Sequence, residues 1–315
     1  MSRVVVAGGA GFLGSHLCES LVARGDSVVC LDDLSSGSRE NVAHLVGNDA
    51  FSLVVTDVSR KVELESDDPV DAVCHLASPA SPSAYLSRPL ETLAAGSEGT
   101  RRLLALARAH RARFLMASTS EVYGDPEVHP QVESYRGSVD PVGPRSVYDE
   151  AKRFAETMTV AHHRAYGVDV GIARIFNTYG PRLSPEDGRV VSTFITQALR
   201  GQPLTVFGDG SQTRSLCYVD DEIAGLVALL DSALTGPVNI GNPDERTVLE
   251  LAHLVVEICG SGSPIAFEPL PTDDPTRRCP DITLATTALG WRPTIGLREG
   301  LVRTMEYLAP RVMAA

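Results

Sequence analysis

Arg3-Val4-Val5-Val6-Ala7-Gly8-Gly9-Ala10-Gly11-Phe12-Leu13-Gly14 joins a short apolar run to a helix-compatible stretch, Phe12–Ala23, through three spaced glycines. The spacing is G-x-x-G-x-x-G. Glycine at these places permits a tight turn, lets backbone come close to a pyrophosphate, and lets the helix lie close to the strand. The free N–H groups at the helix start then face the anion. Glycine triplets alone are common, but this one has a strand pattern before it and a helix pattern after it, the context a dinucleotide site requires.

The next apolar run, Ser27–Leu31, ends in Asp32, 18 residues beyond Gly14. A carboxylate there accepts bonds from both ribose hydroxyls and repels a 2′-phosphate, which favours NAD over NADP. The first arginine after it, Arg39, is seven residues away. Gly8, Gly11, Phe12, Leu13, Gly14 and Asp32 are therefore expected to hold the cofactor, with Asp57 and Val58, after the third strand, at its adenine.

Further β-rich runs follow at Phe51–Val55, Asp71–Leu76, Ala112–Ala117 and Val168–Arg174. Helical stretches lie between them, most clearly Pro89–His110 and Val147–Tyr166. Near-continuous apolar strands alternating with helices predict an α/β fold with a doubly wound parallel sheet of the Rossmann type. After about residue 176 the loops become rich in Gly, Pro and Arg, and the elements shorten: Val191–Leu199, Leu204–Phe207, Asp220–Ser232, Pro237–Ile240, Thr247–Cys259 and Ile295–Leu308. Residues 1–176 are thus expected to form the dinucleotide-binding domain. Residues 177–315 are expected to form mainly a smaller C-terminal α/β lobe for substrate, some of its segments returning to the sheet.

The chain of 315 residues has a formal charge of 28 − 40 = −12. Nucleic acid is an unexpected partner for so acidic a protein. No apolar run approaches the ~18 residues of a membrane span, and a strand pattern starting at Val4 leaves no room for a signal peptide. Six cysteines without a C-x-x-C pair read as reduced thiols in a cytoplasmic protein. The eight histidines show no chelating pattern, so no metal is expected. Of the 28 basic residues, 26 are Arg and two, Lys61 and Lys152, are Lys. Codon bias explains the Arg, and Lys61 reads as surface.

Lys152 stands four residues after Tyr148 on a helical stretch, so the two share a face. A phenol with a pKa of ~10 is a poor base at neutral pH, and a neighbouring ammonium favours its phenolate. Ser118-Thr119-Ser120-Glu121 follows the fifth strand, at the carboxyl edge where such sheets bind ligands. Thr119 can bond a reacting hydroxyl there, and Glu121 places a titratable group beside it.

These segments resemble the extended short-chain dehydrogenase/reductases of the NAD-dependent epimerase/dehydratase family, and within it the UDP-glucuronate decarboxylases. The resemblance also rests on His75–Pro82, Ser118–Gln131, Gly143–Arg145 with Tyr148–Arg153, Ala173–Arg182, Asp187–Ser192, Gly210–Arg214 and Asp273–Asp281, which together span nearly the whole chain. It implies NAD as cofactor and a UDP-sugar as substrate, with catalysis by Thr119, Glu121, Tyr148 and Lys152. Leu76 and Ala77 would lie on the cofactor, while Pro79, Ala80 and Tyr85 would line the sugar pocket. Asn177, Arg182, Arg189, Val190, Arg214 and Arg278 would contact the nucleotide sugar; His75 reads as core. A homodimer through the helices Pro89–His110 and Val147–Tyr166 is also implied.

Related 4,6-dehydratases carry T-D-E where this chain has Thr119-Ser120-Glu121. Without the Asp, loss of a C6 hydroxyl lacks its acid, whereas loss of a C6 carboxylate needs none. The resemblance therefore implies decarboxylation of UDP-glucuronate through a 4-ketone, giving UDP-xylose or the 4-keto pentose. A UDP-glucuronate 4-epimerase is the alternative within enzymes. A non-catalytic NAD-binding regulator is the alternative outside them, though such a protein has no need of both Tyr148 and Lys152. Relatives commonly have Asn where Gly96 stands, which implies a looser site here.

Overall fold

A computed structural model describes residues 1–64, 66, 68–143, 145–270 and 277–313. Pro144 and the stretch Asp273–Thr276, parts of two segments named above, lie outside them. Six strands form in the order read from the sequence: β1 (Arg3–Ala7), β2 (Ser27–Asp32), β3 (Phe51–Val55), β4 (Ala72–His75), β5 (Arg113–Thr119) and β6 (Val170–Ile175). Pro237–Ile240 returns from the second half of the chain and pairs with β6. The seven-stranded sheet runs Pro237–Ile240, β6, β5, β4, β1, β2, β3, with every pairing parallel.

The alternation of side chains along each strand splits the core in two. Val4, Val6, Cys30 and Cys74 pack with Leu17 and Leu21 of the helix Phe12–Arg24, and with Leu226 and Leu229 of the helix Val219–Leu230. Val5, Val29 and Val73 face the other way, onto Leu103, Leu104 and Ala155. Both faces are covered, so the strands have to be apolar throughout. The strand order reverses at β1, which lies between β2 and β4. The loops after β1 and β4 part there and open a crevice.

Small two-stranded pairs form in the second half of the chain: Thr178–Tyr179 with Cys217–Tyr218, Thr213–Ser215 with Glu245–Thr247, and Leu204–Phe207 with Ile265–Glu268. Among the described residues no helix is long and apolar enough to cross a membrane.

The expected single helix Pro89–His110 is three pieces. A π-helical segment, Ala95–Gly99, separates the α-helices Pro89–Ala94 and Thr100–His110. The segment is closely packed. A Cβ built on Gly96 would lie 2.8 Å from both the Cβ and the carbonyl oxygen of Ala151, on the helix Ser146–Tyr166. The glycine lets this segment lie directly on the helix that carries Tyr148 and Lys152.

Candidate active site

The glycine loop forms as its spacing requires. Gly8 adopts φ +80°, and a Cβ on Gly14 would lie 1.9 Å from the Gly8 carbonyl oxygen. The backbone of Leu76–Ala77 passes within 3 Å of where a Gly8 Cβ would sit, so both strand ends meet at one point. Asp32 is buried. Its Oδ2 accepts from the Ala10 N–H at 2.9 Å and its Oδ1 from the Leu34 N–H at 2.8 Å. Burial raises its pKa above the usual carboxylate value, and these N–H groups oppose the rise. Each oxygen keeps a lone pair for a ribose hydroxyl. Asp57 lines the same cleft but is engaged by the Ser59 hydroxyl at 2.6 Å and by Arg60 at 3.1 Å. Val58 is buried.

The cleft has a volume of about 1470 Å³ and runs from Gly8, Gly11, Phe12 and Leu13 past Pro79 and Ala80 to Asn177, Val190 and Arg214. This exceeds the ~300–1,000 Å³ of an ordinary small-molecule pocket and gives room for two ligands end to end.

Tyr148 and Lys152 are buried midway along it, on the helix Ser146–Tyr166. The Lys152 Nζ donates to the Ala117 carbonyl at 2.8 Å and lies 5.8 Å from the centre of the Tyr148 ring. Burial lowers its pKa to about 8. The expected lowering at Tyr148 is not produced by this geometry. Burial pushes its phenol up, opposed by a hydrogen bond with the Thr119 hydroxyl and by the Arg189 charge. Tyr85 stacks flat on the same ring, with centroids 5.1 Å apart and an interplanar angle of 8°.

Thr119 ends β5, and its hydroxyl accepts from the Glu121 N–H at 3.2 Å. The Glu121 Oε2 accepts from Arg145 at 2.9 Å and from Arg278 at 3.2 Å. Burial pushes this carboxyl up, but Arg278, Arg145 and Arg214 more than reverse it, and its pKa lies below the ordinary value. Arg278 is fully buried and also donates to the carbonyls of Ser120 and Gly124, at 2.9 Å each. It therefore holds Glu121 and the turn 120–124 in place.

Arg189 is held by Asp187, with Nη2 donating to Oδ2 at 2.9 Å. Arg182 also lines the cleft, with its guanidinium bonded to Glu19 and Ser15 on the helix after the glycine loop. His75 is buried, with Nε2 at 3.1 Å from the Thr100 hydroxyl, and burial followed by the Lys152 charge lowers its pKa to about 3. It is neutral core.

Two members of the site had no role in the sequence reading. Arg145 is the second clamp on Glu121. Asp149 is buried, and burial followed by the Glu121 charge raises its pKa to about 7. Arg145 had only a local signal, its place three residues before Tyr148. Asp149 had none beyond adjacency.

Residues 4–241 match the model of the NAD dependent epimerase/dehydratase family. The chain belongs to this family. It is 51% identical over 311 residues to UDP-glucuronic acid decarboxylase 1 of Arabidopsis thaliana, a match covering 99% of this chain and 71% of that protein. It is 50% identical over 307 residues to UDP-glucuronic acid decarboxylase 1 of Danio rerio, covering 98% and 72%. Among solved structures it is similar to the UDP-glucuronic acid 4-epimerase of Bacillus cereus in complex with UDP-glucuronic acid and NAD (TM-score 0.86, 29% identity, 98% and 99% covered). It is also similar to the UDP-glucose 4-epimerase of Thermotoga maritima with UDP-glucose (TM-score 0.87, 29% identity, 98% and 99% covered).

Proposed function

We propose that this enzyme decarboxylates UDP-glucuronate in the cleft between the glycine loop and the second lobe. The observation that carries the reading is the Thr119-Ser120-Glu121 turn beside Tyr148. It presents no acid at position 120, and its one carboxylate is locked in the ionised form by Arg145 and Arg278. Such a turn is poorly equipped to protonate a leaving hydroxyl and suits a substrate that loses CO2. The decarboxylases similar over nearly the whole chain support the same reading.

The crevice fits NAD on the observations above: bare glycine backbone for the pyrophosphate, and Asp32 with spare lone pairs for the ribose. Leu76, Ala77 and Val58 would flank it, and Lys152 would reach the second ribose. NAD, when bound, supplies the acceptor and later the donor of the C4 hydride, and a positive charge beside Tyr148. Tyr148 takes the proton of the 4-hydroxyl and Thr119 holds O4 by hydrogen bond. With C4 as ketone, the C5–C6 bond breaks, CO2 leaves, and the electron pair moves into the enolate that Thr119 and Tyr148 stabilise. Glu121 orients the ring. A proton from Tyr148 or a held water then returns to C5.

Arg189, Arg214 and Asn177 would grip the UDP, since a guanidinium fork bonds two diphosphate oxygens, while Pro79 and Tyr85 would wall the sugar. Incubation with UDP-glucuronate and NAD, followed by mass spectrometry of the nucleotide sugar, tests this. Loss of CO2 is expected. Unchanged mass with inverted C4 would establish the epimerase instead, the reading favoured by the similarity to the Bacillus cereus enzyme. NADH accumulating with product marks the 4-keto pentose, and its absence UDP-xylose.

Two further readings belong here. A cytoplasmic location is supported by six free cysteines. A homodimer is supported by exposed Leu90, Leu93 and Phe154 on the neighbouring helices Pro89–Ala94 and Ser146–Tyr166, and light scattering on the purified protein would test it.

A further inference from the structure

Behind Arg278, away from the cleft, three metal-ligating groups from distant parts of the chain converge. The ligand atoms of His129, Glu245 and Cys279 all lie within 4.8 Å of one another. The His129 Nε2 and the Glu245 Oε2 are 3.0 Å apart. The other carboxylate oxygen of Glu245 accepts from the Thr213 hydroxyl, the kind of outer partner that orients a ligating carboxylate. The backbone of Cys279 is pinned by Gln131 through two hydrogen bonds of 2.9 Å, N–H to Oε1 and carbonyl to N–H. Its thiol lies 3.5 Å from the Pro243 carbonyl oxygen.

The surroundings are negative. Burial pushes the Cys279 thiol up, a hydrogen bond with the Ser215 hydroxyl opposes the rise, and the charges of Glu245, Asp281 and Asp244 add to it. Arg246 bonds to Asp244, and Arg278 is turned toward Glu121.

We propose that His129, Glu245 and Cys279 form a binding site for a late divalent transition metal of the zinc class. Imidazole, carboxylate and thiolate together suit Zn²⁺ or Co²⁺ and not the hard ions Mg²⁺ or Ca²⁺. Bonds of ~2.0–2.3 Å place tetrahedral ligands roughly 3.3–3.6 Å apart. The His–Glu pair is close to that spacing, and the sulfur reaches it by a shift of about 1 Å. On binding, the S–H bond gives way to a sulfur–metal bond and its proton leaves to water. Solvent takes the fourth position on the exposed side of His129. The metal would tie the strand Glu245–Thr247 to the strap that carries Arg278, a clamp independent of which sugar the cleft accepts.

The test is a Co²⁺ titration of the full-length, metal-stripped protein. One equivalent should produce the near-ultraviolet thiolate-to-cobalt band with visible four-coordinate bands. Cys279→Ser should abolish the near-ultraviolet band, and His129→Gln, a change at an exposed position, should weaken binding at least tenfold. Zn²⁺ should raise the Tm of the wild type while Mg²⁺ leaves it unchanged. No thiolate band in the wild type, or a band that survives Cys279→Ser or binds equally well in His129→Gln, overturns the proposal. Should Cys279→Ser fail to fold, the wild-type and His129→Gln titrations decide alone.

Discussion

Lys152 is retained at a cost to stability that can be measured by removing it. Its ammonium is buried, with 4% of its surface exposed, and burial lowers its pKa from 10.5 to about 8. Each unit corresponds to about 1.4 kcal/mol, so holding the charge at pH 7 destabilises the fold by about 3 kcal/mol. Lys152→Met removes that burden and fills the same volume with apolar atoms. It also removes the bond to the Ala117 carbonyl, an offset of about 1 kcal/mol. The variant should be more stable than the wild type by about 2 kcal/mol at pH 7, a rise in Tm of about 4 °C for a chain of this size. The pH dependence has a definite sign. Between pH 8 and 10.5 the unfolded wild type binds more protons at this residue than the folded one, so wild-type stability rises with pH there. The gap to Lys152→Met should therefore be full below pH 8, shrink as the pH rises, and be reversed by about 1 kcal/mol near pH 10.5, where the neutral amine keeps its bond to the Ala117 carbonyl. Urea titrations at pH 7 and pH 10 measure it, while kcat/KM should fall by roughly 10²–10⁴-fold. A variant less stable than the wild type at pH 7, or a gap that does not change with pH, would refute the reasoning.

Three other perturbations follow from the same geometry. Tyr148→Phe keeps the ring that stacks on Tyr85, so the Tm should change by about 2 °C or less while turnover in the mass assay disappears. Asp32→Asn removes the charge from an acceptor of ribose hydroxyls, worth about 1.5–3 kcal/mol, and should weaken NAD by roughly 10–100-fold in a fluorescence titration while narrowing the preference over NADP. Gly96→Ala gains about 1 kcal/mol of helix propensity but drives a methyl group against the Ala151 backbone, an overpacking cost of about 1–3 kcal/mol. Net destabilisation is expected in urea, together with a drop in kcat from displacement of Tyr148.

The parts of the molecule that were legible in the sequence are those whose physics is local. The apolar run at Val4–Ala7, the glycine spacing and the four-residue step from Tyr148 to Lys152 each describe a few consecutive turns of chain, and each forms where it was read. The close packing of the π segment at Ala95–Gly99 was not legible, because the residue that Gly96 meets is Ala151, more than fifty residues away. The same reason hid the metal-ligating cluster, since His129 and Glu245 are 116 positions apart. Arg182 and Arg278 looked alike as loop arginines. Only the fold shows that one is bound to Glu19 and the other to Glu121. The rise that burial imposes on the Tyr148 phenol was not legible, because the sequence displays the lysine but not the depth of burial.

The strand Pro237–Ile240 has a consequence for how the chain is made. It supplies the neighbour of β6, with Val238 opposite Ala173 and Asn239 opposite Arg174. Its Asn239 receives the Tyr123 hydroxyl at 2.7 Å and donates to the Gln131 carbonyl at 2.9 Å. During synthesis, everything up to Ile175 emerges before this partner exists. For the time taken to translate some sixty further residues, β6 presents a raw sheet edge, the kind of surface that recruits foreign strands. A nascent chain stalled near residue 176 would carry the glycine loop, Tyr148 and Lys152, and yet remain adhesive and unfinished.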